Sequence, residues 1–279
     1  MTSRLKLTTW LPVLLVAIFL VIQLFPVIWV ISASLQTPEA LARGPSNRLI
    51  PDTLYLGNYV RAFDTSPLLQ YLLNSTIIAV LTIGLTIILA APAAYAIEKM
   101  RFSGSRIVLN YFLLGLMIPV FVSLLPIFQS LGFFGLRNTY WAVVLPQVGF
   151  QLPVAIYLYT SFFRGIPNEL LEAASIDGAG VFRTFWSVAV PLSINATITI
   201  VVYNFIFVWN EFVFANTFLT NDAIKTLPVG LNDFVSDMGR RDYGATYAAI
   251  VVSVLPTVAL YLFLNRRVID SMTAGAVRG

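Results

Sequence analysis

From Trp10 to about Ala33 the chain runs without a single charged residue. A helix crosses a bilayer with ~20 apolar residues, whereas the apolar core of a secretory signal is typically only ~7–15. Ser32-Ala33-Ser34 mimics a cleavage site, yet the length of the run favours an uncleaved first span. Five further apolar stretches of membrane length follow, at about 77–96, 107–128, 140–162, 188–214 and 243–264. The expected fold is therefore all-α: a polytopic membrane protein with six transmembrane helices, forming one transmembrane domain over residues 1–279. Composition points the same way, because 58% of the residues are hydrophobic and 11% charged, against roughly 25% charged in soluble domains.

Polar residues punctuate the spans. Residues 37–69 form a Pro- and Gly-containing segment with Arg43, Arg48, Asp52, Arg61 and Asp64, expected outside the membrane on the far face. Asn74-Ser75 reads as a helix cap opening the second span. Pro92 inside that span is tolerable in a membrane helix, and Pro119 and Pro126 read as kinks in the third. The fourth span includes Pro146 and Pro153, and residues 221–242 form a second outer loop. Of the 17 basic residues, six spans put ten on the side of the first residues: Arg4, Lys6, Lys99, Arg101, Arg106, Arg164, Arg183, Arg266, Arg267 and Arg278. Arg43, Arg48, Arg61, Arg137, Lys225, Arg240 and Arg241 fall on the other. The excess strengthens near the span ends, where basic residues stay in the cytoplasm. Both termini are expected there.

The residue inventory excludes several functions. The chain has no cysteine and no histidine, so disulfides, thiolate or imidazole metal sites and the usual catalytic triads are out of reach. None of its lysines, Lys6, Lys99 and Lys225, sits in a G-x-x-x-x-G-K-[ST] phosphate loop, and Gly178-Ala179-Gly180 lacks the third glycine of a dinucleotide site. The expectation is no enzyme, no metal and no cofactor bound by this chain. A net charge of +4 on such a chain speaks to topology, not to nucleic acid.

The stretch 165–187 is the longest clearly amphipathic one. A helix can begin just after Pro167, with Glu169 and Glu172 near its positive end. Leu170, Leu171 and Ala174, three and four apart, form one apolar stripe beside Ala173. Asp177-Gly178 supplies the stop, ahead of Ala179, because glycine tolerates the left-handed turn that closes a helix. A second helical turn follows, with Phe182, Phe185 and Trp186 on one face, before Pro191. By physics alone this is either an interfacial helix that merely connects two spans or a docking element.

Polar groups inside spans are costly and tend to be functional. The fifth span carries Asn204, Trp209, Asn210 and Glu211, and helical spacing puts Asn204, Phe207 or Val208, and Glu211 on one face. A ring with amides and a carboxylate suits sugar recognition, while interhelical hydrogen bonding explains the same residues without a ligand. Gln147 and Gln151, four apart in the fourth span, form a second candidate pathway lining. Glu211 is the one clear carboxylate for an ion-coupled secondary transporter, the alternative class.

Glu172-Ala173-Ala174, three residues, Gly178, nine residues, then Val188-x-Val190-Pro191 resembles the EAA loop of ABC importer membrane subunits. Val188 and Val190 replace the more usual Ile and Leu. Trp209-Asn210-Glu211 matches a sequence common in the carbohydrate permeases of that superfamily. Leu56-Gly57-Asn58-Tyr59 with Ala62-Phe63 is similar to their short amphipathic helix, and the Gly-Ala-Val-Arg-Gly ending to that of the second maltose-type permease subunit. The resemblance implies that 165–187 is a cytoplasmic coupling loop whose Glu169, Leu170, Leu171, Glu172, Ala173, Ala174, Asp177, Gly178 and Ala179, with Pro191, dock on an ATP-hydrolysing subunit. It also implies a second permease subunit in a heterodimer, two ATPase subunits that use the ATP, and an extracytoplasmic sugar-binding protein. The setting would be the inner membrane of a bacterial or archaeal cell.

Overall fold

The computed structural model describes residues 2–42, 49–51, 53–100, 102–234 and 242–276. Arg43, Arg48, Asp52, Arg101, Arg240, Arg241 and the ending Val277-Arg278-Gly279 lie outside them. All regular structure among the described residues is helical. In chain order the α-helices are α1 (Thr2–Ser34), α2 (Pro38–Ala42), α3 (Gly57–Thr65), α4 (Leu68–Tyr95), α5 (Ser105–Leu114), α6 (Val120–Phe133) and α7 (Trp141–Arg164). They continue with α8 (Asn168–Ile176), α9 (Val181–Thr184), α10 (Val190–Leu192), α11 (Ile194–Trp209), α12 (Val213–Phe218), α13 (Leu227–Gly230) and α14 (Tyr243–Ala276). Among the described residues four stretches are long and apolar enough to cross a membrane unbroken: Trp10–Ser34, Leu68–Met100, Trp141–Arg164 and Tyr243–Leu264. Two more qualify only as bent pairs, Ser105–Met117 with Val120–Phe133 at 99° and Val181–Leu192 with Ile194–Trp209 at 70°.

The first bend falls at Pro119, where a kink is expected, and the second corrects the expected unbroken fifth span. In the third, α5 tightens into a 3-10 turn over Gly115–Met117, and Ile118 and Pro119 then run extended. Pro119 thus closes one helix and opens the next, and only Pro126 lies inside a helix, α6. In the fifth, a π-turn at Phe185–Ala189 and a break at Ser193 precede α11. The helix proper starts at Ile194 and stops at Trp209, short of Phe214.

The fold forms two compact units, one within 1–69 and 230–255, the other within 70–229 and 256–279. In the first, α3 is a clamp. Buried Asn58 donates through Nδ2 to the carbonyls of Ser34 (2.8 Å) and Gln36 (2.7 Å), and its Oδ1 accepts from Arg61 Nη2 (2.7 Å). Arg61 in turn reaches Asp242, which caps α14 by accepting from Ala245 N (3.0 Å). A Cβ at Gly244 would collide with Asn58 Oδ1, so glycine is required at this close approach.

In the second unit α5, α11 and α12 pack on α7. One apolar cluster gathers Tyr95, Ala155, Tyr159, Phe163, Phe185 and Ile200; another gathers Ile78, Val144, Val148, Val208, Phe214 and Phe218. Asn74 and Ser75 are not a cap: α4 already starts at Leu68, after Pro67, and both residues are buried within it. Asn74 Nδ2 donates to the carbonyls of Ala223 (3.0 Å) and Lys225 (2.8 Å), and its Oδ1 accepts from Tyr140 OH (2.7 Å). Ser75 Oγ accepts from Leu227 N (2.8 Å). Asn138, in the left-handed conformation (φ 56°), accepts through Oδ1 from Thr220 N (2.6 Å) and Asn221 N (3.2 Å).

Candidate functional site

Two features gather the sequence-derived candidates, a hairpin and a cavity, both in the second unit. The hairpin starts where Pro167 (ψ 135°) sets the chain extended ahead of α8. Lys99 Nζ ties that point down by donating to Ile166 O (2.6 Å) and Asn168 Oδ1 (3.0 Å). Beside it Glu98 pairs with Arg164 (3.2 Å). At the far end Gly178 (φ 79°) makes the left-handed turn. Ala179 N donates to Ala174 O (2.9 Å) and Gly178 N to Ser175 O (3.0 Å). These two bonds satisfy carbonyls that a helix end leaves open.

The expected start and stop of this helix are therefore where the sequence puts them, but the expected faces are not. Leu171 packs on the apolar cluster and Ala174 is half-buried, while Leu170 is exposed, as are Ile176, Val181 and Phe182. Glu169, Glu172, Ala173 and Asp177 are exposed, and Ala179 is half-buried. Phe182, Phe185 and Trp186 do not share a face. The π-turn inserts a residue into the helical register, which buries Phe185 against Tyr95 (5.1 Å between ring centroids) and leaves Phe182 and Trp186 exposed. Pro191 lies in α10, at the 70° bend and away from the α8 corner.

The cavity, about 500 Å³, is bounded by the turn at 115–118 and by α6, α7, α11 and α12. That falls within the roughly 300–1,000 Å³ of small-molecule sites. Gln147, Gln151, Asn210 and Glu211 line it, together with Phe121, Phe150, Tyr203, Phe207, Phe212 and Phe214. Gln147 is only 4% exposed, and its Nε2 has no hydrogen-bond partner among the described residues.

Asn204 and Trp209 do not join them. The expected common face of Asn204, Phe207 or Val208, and Glu211 fails because α11 ends at Trp209. Asn204 is fully buried, with no partner for either amide atom among the described residues. Trp209 is buried and stacks on Phe205 (5.2 Å, 17° between planes). Asn210 closes α11, donating through Nδ2 to Ile206 O (2.8 Å). Glu211 opens α12, its two oxygens accepting from Phe214 N (2.6 Å) and Ala215 N (3.1 Å). The Trp-Asn-Glu triplet is thus a corner between two helices, with its carboxylate spent on backbone donors.

The aromatic wall was missed in the sequence, although Tyr203 and Phe207, one turn apart on α11 with centroids 4.8 Å apart, carry the helical period that could have revealed it. Among the described residues no group of three potential metal ligands comes together.

Residues 83–273 match the family described as binding-protein-dependent transport system inner membrane component. The diacetylchitobiose uptake system permease protein of Streptomyces coelicolor is 34% identical over 95% of this chain and 87% of its own length. The trehalose/maltose transport system permease protein of Thermococcus litoralis is 35% identical, over 93% of each chain. Among solved structures, a bacterial ABC transporter involved in importing the acidic polysaccharide alginate superposes with a TM-score of 0.83 at 21% identity, over 95% of this chain and 98% of that one.

Proposed function

The chain belongs to the family of binding-protein-dependent transport system inner membrane components, and on that basis we propose that it is the membrane-spanning permease subunit of an ABC importer of carbohydrate. The sugar uptake named for its relatives supports the substrate class. In this reading residues 1–279 form one permease domain with six crossings, cytoplasmic termini and a multi-pass place in a bacterial or archaeal cell membrane. A second permease subunit completes the path, and an extracytoplasmic binding protein delivers the sugar. The chain catalyses nothing itself; two ATPase subunits hydrolyse ATP.

The observation that carries the mechanism is the hairpin: a short helix closed at Gly178, tied at Lys99 to the end of α4, and presenting Leu170, Ile176 and Phe182 outward. Exposed apolar groups of that size mark a surface made for a protein partner. Held in a cleft of the ATPase, the hairpin transmits its closure to α7 and to the helices after Gly180, so that the path alternates between the two faces.

Sugar uptake by the assembled transporter in proteoliposomes tests this. Gly178→Pro removes the backbone donor to Ser175, and Glu172→Lys reverses a charge on the exposed face. Each variant is expected to insert normally and to lose at least tenfold in uptake. Normal uptake by either would refute the coupling role.

A further inference from the structure

The cavity beside α7 is selective in its chemistry. Among the described residues neither lysine nor arginine lines it. The one carboxyl group that lines it among the described residues, Glu211, has both oxygens held by the backbone of α12. An anionic ligand would find no cation among these residues, so its charge would stay unpaired in a medium less polar than water. What the walls do offer is neutral: the amides of Gln147 and Gln151, the phenol of Tyr203, and the Tyr203–Phe207 ring pair. Apolar sugar faces lie on rings, and hydroxyls exchange hydrogen bonds with amides.

Gln147 stands out among these groups. It is 4% exposed and among the residues lining the cavity, and its buried Nε2 donor finds no acceptor among the described residues. Buried donors are normally paired, so a ligand acceptor arriving there fills an existing need.

We propose that the cavity takes an uncharged saccharide and that Gln147, not the Trp209-Asn210-Glu211 corner, reads one of its hydroxyl oxygens. The inference rests on the reading of this chain as a sugar permease. It adds the charge class of the cargo and the residue that discriminates.

The absence of cysteine from the chain makes the test direct. In the assembled transporter, with partner subunits also stripped of cysteine, Gln151→Cys is exposed to a small thiol reagent in nucleotide-free and ATP-trapped states. Lack of reaction in both states would overturn the pathway reading itself. Given reaction, protection by maltose, trehalose and N,N′-diacetylchitobiose is compared with protection by digalacturonate. At least one neutral sugar is expected to protect at a concentration tenfold or more below that of digalacturonate. Gln147→Met, unbranched and without a donor, is expected to raise that concentration about tenfold, as for a hydrogen bond lost in a buried site. It should leave the labelling rate without sugar unchanged. Gln147→Glu serves as the isosteric second variant should the first misassemble. Equal protection by digalacturonate, or by none of the sugars, would overturn the neutral cargo. Unchanged protection in the Gln147 variants would overturn the role of that residue.

Discussion

Asn74 shows how one residue fixes a loop. Its amide, itself fully buried, holds two carbonyls of the 223–225 segment and receives the Tyr140 hydroxyl. Asn74→Ala removes those three bonds, at about 1 kcal/mol for each. Tyr140→Phe removes one bond and should cost about 1 kcal/mol. Thermal unfolding of the purified transporter should therefore rank wild type, Y140F and N74A in that order; an N74A midpoint equal to wild type would remove the hub. The sequence reading placed a cap here because Asn-Ser before an apolar run is the local signal for one. A cap and a tertiary hub use the same amide, and only the partner, some 150 residues away, tells them apart. Asp242 offers a second test, with pH. Burial pushes its carboxyl up, but hydrogen bonds from Arg61 and from the α14 backbone outweigh that and hold it below the usual carboxylate range. A carboxylate with a depressed folded pKa adds stability that is fully present above its unfolded value, about 3.9, and is lost as pH falls through the folded one. The thermal midpoint should thus stay level in this respect from pH 8 to 5 and drop below about pH 4, and Asp242→Asn should blunt that acid limb. An unchanged acid limb in the variant would show that the pair does not contribute.

The α8 hairpin and the bent spans divide what could be read from what could not. The start after Pro167 and the stop at Gly178 were legible because each depends on the backbone preference of one residue type. Four spans were legible because length and apolarity suffice for a straight crossing. The bend at Ser193 was not, since an apolar run has the same composition whether its helix continues or turns; at Pro119 the proline marked a kink but not its 99°. The π-turn after Thr184 was hidden likewise, and with it the burial of Phe185. For the cavity, Gln147, Gln151, Asn210 and Glu211 line it as the sequence suggests, while Asn204 and Trp209 do not, because α11 stops two residues before Glu211. At this level the decisive strut is Lys99. Its ammonium joins the end of α4 to both sides of Pro167, and hydrogen bonds from charged groups are among the stronger ones. Lys99→Met should preserve membrane insertion, raise amide exchange over residues 168–178 and lower uptake several-fold. Exchange identical to wild type would mean that the hairpin is held by packing of Leu171 alone.

Within the unit built on residues 70–229, contacts far apart in sequence pin two opposite ends. At one, Asn138 receives Thr220 and Asn221, and Asn74 holds Ala223 and Lys225. At the other, Lys99 reaches Ile166 and Asn168, and Glu98 pairs with Arg164. The 24 residues of α7 separate these ends, about 36 Å at ~1.5 Å per residue and more than the ~30 Å of a bilayer's hydrocarbon. The α5–α6 pair begins at Ser105, which shares a cavity wall with Glu98 and Arg164, and leads into the turn that carries Asn138. The second bent pair begins at the hairpin and continues into α12, whose Phe218 carbonyl accepts from Asn138 N. Each pair therefore starts at one end and finishes at the other, as a crossing does and a re-entrant loop does not. With α1, α4, α7 and α14, each long and apolar enough to cross unbroken, six crossings are expected. Single cysteines in the cysteine-free chain check the count with an impermeant thiol reagent applied to vesicles of each orientation. Ser103→Cys and Asp177→Cys should react from one face, Phe134→Cys and Asn221→Cys from the other. Reaction of positions 103 and 134 from the same face would make α5–α6 re-entrant, and reaction of 177 and 221 from the same face would do so for the pair that ends in α11.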